Sequence, residues 1–553
     1  MADSTHPQAS RPLPRPEITK PPGRLARLAG AAGILLVGVL AACGSATGGA
    51  SSTTPHRGGN LVIDTDTPVS DFDVWSTSDN ESIWCLDQIT QALYANSSDG
   101  KSVYPLLATS YSLSTNDLTW TIQLRHGVRF SNGAEMTSKD VVFSIQQEAN
   151  QTNDTGWGFL DAQIASVTAE GSYTVAITTK YPWAPMLADL AFFGNAIVPY
   201  NYGGETHAQF YQNPIGTGPF MISKWVKGNY IKLVRNPHYW QPGLPYLDSL
   251  TFQAVADANT RVLQLRGGQA QIIEDVPFNE IKSVESAGQK VGLFPSTRID
   301  YVTMNELNAE QAYGMGTDDA NTWFTDPHVR AAISYALDTK AIMNAITDGY
   351  GTAASSPLMS SVEYYSPVSL DSGNLAMAKQ ELSESSFPNG GFSIDFITTS
   401  QDPIQYSVAE IVKQDLASLN ITVNLRLLDP SAVTSQEQTY HFGMRETYWT
   451  NDIIDPDEYT SFVLEGGTGS VDFANNTHFD DPTLDSLIAQ SETTFNATQR
   501  AQLYLKIQQL AADDAPIIWL GDSPYHYGYK TDVHGYTVYP TGNAHFEDVW
   551  LSS

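Results

Sequence analysis

A chain of 553 residues with only two cysteines, Cys43 and Cys85, must hold itself together by packing. Cys43 closes an uncharged run from Leu28 to Ala42, behind a positive segment containing Arg11, Arg15, Lys20, Arg24 and Arg27. Fifteen residues fall short of the about 20 needed to span a bilayer; they suit the hydrophobic region of a signal peptide ending at Cys43. Cys85 is then left without an intramolecular partner, so no disulfide staples the fold. Residues 43–553 also exceed what one hydrophobic core supports, and two or three domains are expected.

Leu40-Ala41-Ala42-Cys43-Gly44 resembles the lipobox of bacterial lipoproteins. The resemblance implies that residues 1–42 are removed and that Cys43 is lipidated. Acyl chains gain about 0.8 kcal/mol per buried CH₂, enough to hold a domain at the membrane surface without a spanning helix. An uncleaved anchor or an ordinary secretory signal is the alternative. Residues 43–57, rich in Gly, Ser, Thr and Pro, read as a flexible tether.

Residues 1–42 hold five basic and two acidic side chains of the chain's 29 Lys+Arg and 60 Asp+Glu, so the remainder has 24 against 58, a formal charge of −34. A field of that sign excludes nucleic acid and repels anionic lipid headgroups. The 41% hydrophobic and 11% aromatic content argues against disorder despite the acidity.

Asn60–Asp64 reads as a first strand. Alternation marks further half-buried strands at Thr119–Arg125, Tyr173–Thr178, Ile231–Arg235 and Ile421–Leu427. Helices are expected at Asn80–Ala95, opened by Ser78-x-x-Glu81 and carrying Cys85 as a small buried hydrophobe. Others are expected at Asp326–Leu337, with Pro327 in its first turn, at Asn374–Glu384 and at Gln499–Ala512. Strands interspersed with helices over this length indicate an α/β or α+β architecture in more than one lobe.

Motifs for chemistry are missing. There is no phosphate loop, no dinucleotide-binding Gly-x-Gly-x-x-Gly after a strand, no Gly-x-Ser-x-Gly and no His-Glu-x-x-His. The histidines are scattered; His478 and His545, with acidic neighbours, read as surface residues. Asp64-Thr-Asp66 and Asp71-Phe-Asp73 do not make an EF-hand loop, because Pro68 and Val69 interrupt the alternation of ligands, so this segment reads as a strand-end loop. No catalytic residue, metal ligand or cofactor is expected.

Several ordered segments resemble the extracellular solute-binding proteins of family 5, the binding subunits of peptide, nickel and related ABC importers. They begin with Tyr104-Pro-Leu-Leu-Ala108, the run from Asp117 through Arg125, Gly127, Phe130 and Gly133, and Thr137-Ser-Lys-Asp140. Pro214-Ile-Gly216-Thr217-Gly218-Pro219-Phe220, Trp225, Arg235-Asn-Pro-His-Tyr-Trp240, Tyr246–Phe252, Asp326–Asp338 and Asp480–Asp485 follow in order. Locally, Asn132-Gly133 suits a tight turn, Thr137 suits a helix cap, and Gly216 and Gly218 suit unusual backbone angles. The resemblance implies an α/β fold, a two-lobed periplasmic-binding-protein-like clamshell with an inserted α+β domain. Carried onto this chain, the first lobe comprises residues 58–92, 197–297 and 515–553, the inserted domain 93–196, and the second lobe 298–514. Val302–Asn305 and Asp513–Pro516 are the expected hinge strands.

The same resemblance implies that Asp452 anchors a peptide's α-ammonium and that Trp449 lines a side-chain pocket, in Trp449-Thr-Asn-Asp452-Ile-Ile-Asp455-Pro456. From composition alone Asp452 would be an ordinary loop acid. Arg445 is placed near the cleft, to pair with Asp452 or a ligand carboxylate; Asp455 is read as structural; Trp75, Trp323 and Tyr448 are further aromatics for the cleft. The expected protein is a non-enzymatic, monomeric, lipid-anchored receptor on the extracytoplasmic face of the membrane, delivering short peptides to ABC permease subunits. The alternatives are the same fold taking a sugar or metal complex, and a signal-peptide sensor without import.

Overall fold

The computed structural model describes residues 54–77, 79–150, 157–307, 321–370, 372–466 and 477–552. Ser78, Cys43, residues 1–42 expected as a signal segment and most of the expected tether lie outside them. Among the described residues no helix is long and apolar enough to cross a membrane.

Two sheets organise the molecule. The first has seven strands in the spatial order Lys290–Phe294, Tyr525–Tyr529, Ile272–Ile273, Asn60–Thr65, Ser249–Ala254, Tyr230–Arg235 and Phe220–Val226. Asn60–Thr65 runs parallel to both of its neighbours, and its Leu61 and Ile63 enter a core with Phe72, Trp75, Phe220 and Leu250. The second sheet has six strands, ordered Thr352–Ala353, Ile517–Asp522, Arg298–Met304, Met444–Thr450, Ser393–Thr398 and Thr422–Leu427. Apolar clusters cover it on both faces: Val302 and Met304 pack with one, Ile299 and Tyr301 with the other. Burial on both sides explains why its central strand, Arg298–Met304, does not read as an alternating pattern.

A four-stranded antiparallel sheet, ordered Ala108–Leu113, Thr119–Leu124, Thr174–Thr179 and Ile164–Gly171, builds a separate cluster from Leu93 to Ile197. Here the sequence pattern is clean, with Trp120, Ile122 and Leu124 all buried. Asn132-Gly133 makes the turn, with Gly133 at φ +86° and its N–H donating to the Phe130 carbonyl. The Asp140 carboxylate accepts from the Thr137 N–H at 2.8 Å, holding the start of helix Ser138–Ala149.

The other helices start where their caps indicate. Asp326 accepts from the His328 N–H ahead of Pro327–Ala336, and Asn374 accepts from the Met377 N–H ahead of Leu375–Glu384. The last long helix is Ala497–Asp514.

Three expectations need correction. The helix opening at Asn80 ends at Leu86 and is capped by Asp79. Residues 88–91 leave it because their carbonyls are taken by another segment: Gln88 accepts from Phe220 N–H at 2.9 Å, Ile89 from Gly218 at 2.8 Å and Gln91 from Ile197 at 2.9 Å. That contact also reassigns the Gly-Thr-Gly-Pro glycines, neither of which has positive φ. A Cβ at Gly216 would lie 2.0 Å from the Ile89 carbonyl oxygen, and one at Gly218 2.6 Å from that of Gln88, so glycine is required for close backbone approach.

The crossings between the sheets also move. Val302–Asn305 runs within or just beyond a strand of the second sheet, and Asp513–Pro516 precedes Ile517–Asp522, which pairs with Arg298–Met304 inside that same sheet. The chain crosses instead between Phe294 and Arg298 and between Asp522 and Tyr525. Residues 515–522 therefore belong with the second sheet. The two crossings are stitched together, Ser296 Oγ donating to the Ser523 carbonyl at 2.5 Å and Ser523 Oγ to Asp300 Oδ2 at 2.6 Å.

Candidate functional site

The candidate site lies beside these crossings, around Arg298 and Tyr525. Asp452 follows the Met444–Thr450 strand in a tight loop whose shape is set from within. Glu458 Oε2 accepts from the N–H groups of both Asp452, at 2.9 Å, and Ile453, at 3.0 Å. The Asp452 carboxylate feels the like charge of Asp87, the residue that ends helix Asn80–Leu86 in the other lobe. Removal from water, and then Asp87's like charge, push the Asp452 carboxyl up to about 7. Asp87 is raised to about 6 by burial, opposed by His545 and by a 2.9 Å hydrogen bond from Asn543 Nδ2.

Tyr525, just past the second crossing, feels the opposed charges of Arg298 and Asp452, and Trp84 meets it edge-on at 6.4 Å. Arg298 lies over the ring of Tyr448 at 3.6 Å and pairs with Asp300 at 2.8 Å. Arg298, Tyr448, Tyr525 and Asp452 thus gather beside the crossings, and Asp87 is the charge of the first lobe that Asp452 feels. Behind Asp87 a cavity continues, lined by Gln91, Tyr94, Asn96, Asn543, His545 and Glu547.

The other named residues fall elsewhere. Trp449 stacks on Phe462 (centroids 5.9 Å apart, planes 3° apart), is half-buried against the second lobe's core and lies beside Glu458. Arg445 forms an ion pair with Glu437, not with Asp452. Asp455 is bound bidentately by Arg500 at 2.5 and 2.9 Å, both side chains buried. Trp75 is 1% exposed in the first lobe's core, and Trp323 stacks on Phe392 in the second's; of the three extra aromatics only Tyr448 reaches this site. His545 faces Asp87, while His478 Nδ1 lies 3.0 Å from Asn305 Oδ1, so neither is a free surface histidine. Cys85 is fully buried and its thiol is raised well above the usual range.

Asp87 and Arg298 were missed. Asp87 gave no signal because it meets Asp452 only through the tertiary fold. Arg298 begins the strand that carries the first crossing onward, which was the available clue.

Two lobes joined by strands that cross twice beside a cleft have the layout of a clamshell. The sequence model described as "Bacterial extracellular solute-binding proteins, family 5 Middle" matches residues 102–470, and the chain belongs to that family. The glutathione-binding protein GsiB of Pectobacterium atrosepticum is 27% identical over 507 residues, covering 89% of this chain and 94% of that protein. Among solved structures, oligopeptide-binding AppA of Bacillus subtilis, in complex with a nonapeptide, is 25% identical with TM-score 0.75, covering 90% of this chain and 100% of that one. DppA of Helicobacter pylori, in complex with the peptide STSA, is 24% identical with TM-score 0.75, covering 90% and 99%; at that identity it bears on the fold alone.

Proposed function

We propose that this solute-binding protein captures short peptides by the free amino terminus, between Asp452 and Asp87, and delivers them to an ABC permease from a lipid anchor at Cys43. The observation that carries this reading is that Asp452, raised by burial, feels the like charge of Asp87 from the other lobe, itself raised by burial. An ammonium group between them satisfies both, through charge-assisted hydrogen bonds that gain strength in a water-poor cleft. Closure is then coupled to occupancy, because the cation offsets a repulsion that opposes bringing the lobes together. Arg298, beside Tyr448 and Tyr525, supplies positive charge for a carbonyl or carboxylate further along the ligand. Trp449 acts through Glu458, as a wall for the Asp452 loop.

Glutathione is the second reading, favoured by relatives of that name across most of their length. It too presents an α-ammonium, so Asp452 keeps its role. Native mass spectrometry of the purified full chain, followed by denaturation and identification of what is released, separates the two. A family of peptide masses supports peptide capture and glutathione the second reading; a sugar or metal complex would discard Asp452 as an ammonium anchor.

A further inference from the structure

A second group of carboxylates gathers on the first lobe, at the ends of the parallel strands Asn60–Thr65 and Ile272–Ile273. Asp66, Glu274 and Asp275 each bring an oxygen within 4.8 Å of the others. The segment Asp64–Asp73 does not make a continuous calcium loop; here its Asp66 is completed by residues two hundred positions away. Acidic side chains cluster by chance in so acidic a chain, and the distinguishing feature is burial. Glu274 is 2% exposed, one of its oxygens accepts from the Asp66 N–H, and the other, Oε2, has no hydrogen-bond partner; Asp66 Oδ1 is also buried without one.

Among the described residues, neither Asp66 nor Glu274 has an ion pair with a basic side chain, and Asp275 has only a long one. Arg261 gives its donors to main-chain carbonyls, Glu274 at 3.0 Å and Val255 at 2.9 Å among them. His526 has Nδ1 2.9 Å from the Val276 carbonyl and turns Nε2 towards Asp275 Oδ1 at 3.8 Å. Glu81, 8% exposed, adds a fourth carboxylate felt by Glu274. Buried oxygens left unpaired are costly, and a cation would offset that cost.

We propose that Asp66, Glu274 and Asp275 form a calcium site, with Asp275 as its solvent-facing ligand. All donors are hard oxygens, and two oxygens up to 4.8 Å apart are bridged by an ion with bonds of about 2.3–2.6 Å, whereas magnesium demands about 2.1 Å. Bound calcium would brace the cleft wall. Phe278 packs on His526 at 4.2 Å and stacks at 6.0 Å on Tyr350 of the second lobe, so the site adjoins the contact between lobes.

The test is calorimetric and thermal titration of the chelator-stripped full chain with calcium chloride and, separately, magnesium chloride. Calcium should bind with one-to-one stoichiometry and raise the unfolding midpoint, with magnesium weaker. Asp275→Asn, at a position already exposed, should weaken calcium by about 10-fold or more without changing the circular dichroism. Glu274→Gln should do the same; because it is buried, Asp275→Asn decides if that variant does not fold. The proposal is overturned by no response to millimolar calcium, by many weak sites that persist in Asp275→Asn, or by tighter binding of magnesium than of calcium.

Discussion

Asp452 and Asp455 are three residues apart on one loop, and they live in opposite electrostatic worlds. Asp455 is gripped by Arg500 through two hydrogen bonds, with the Tyr504 hydroxyl close behind, and the whole set is buried. Asp452 feels the like charge of Asp87. A carboxylate whose charge is met inside the protein serves the fold. One whose charge is met by another carboxylate leaves something for a ligand to complete, and this contrast is more informative than either residue alone.

The contrast breaks most visibly on the structural side. Arg500→Met should destabilise the protein by about 3–5 kcal/mol in urea unfolding, because Asp455 would stay buried without a counter-charge. Asp452→Asn should leave unfolding nearly untouched or improve it. Its effect should appear in calorimetry, as a loss of about 1.5–3 kcal/mol in binding peptides with free amino termini and little loss for N-acetylated ones. Equal loss for both peptide forms would remove the ammonium-anchor role.

The pH dependence sharpens the comparison further. Asp452 and Asp87 have folded-state values near 7 and 6, above the ordinary unfolded value of about 3.9. The folded protein therefore holds more protons than the unfolded one between these limits. Their contribution to stability is full below about pH 4 and is lost as pH rises through 6 to 7. Ligand-free protein should show this decline in its unfolding midpoint, and Asp452→Asn should flatten it. Peptide affinity should run the other way, falling as pH drops below about 7 because the anchoring carboxylate takes up a proton.

Asp87→Asn should lower the Asp452 titration, followed by carboxyl NMR, and cost only a few-fold in affinity. The smallest effect is expected for Arg445→Ala. Its partner is Glu437, so peptide affinity should stay within about twofold of the parent, consistent with an ion pair remote from the ligand.

How much of this was legible depended on how local the cause was. The strand Thr119–Leu124, the Asn132-Gly133 turn and the Asp326-Pro327 helix start are written within a few residues, and they appear where the sequence places them. Helix Asn80–Leu86 stops short of its apolar pattern because distant backbone groups at Gly218 and Phe220 claim the carbonyls of Ile89 and Gln88. The same long-range contact explains Gly216 better than its turn-like neighbours do. Asp452 entered through family resemblance, and its partner Asp87 was invisible because no short-range pattern links a helix end to a loop in the other lobe. The crossing strands were misplaced for a related reason: a strand buried on both faces looks like any apolar connection.

The hairpin that ends near Tyr104 reaches the second lobe through Val103 and through a lysine. Lys101 Nζ donates to the carbonyls of Ser360 at 2.7 Å and Val362 at 2.8 Å, and the Ala184 N–H donates to the Glu492 carbonyl at 2.6 Å. These clasps use uncharged acceptors. Dissolved salt screens pairs of ions far more than an ion against a carbonyl dipole, so the closed arrangement should hold its latch from fresh water to brine, while the grip on a charged solute weakens as the medium becomes saltier.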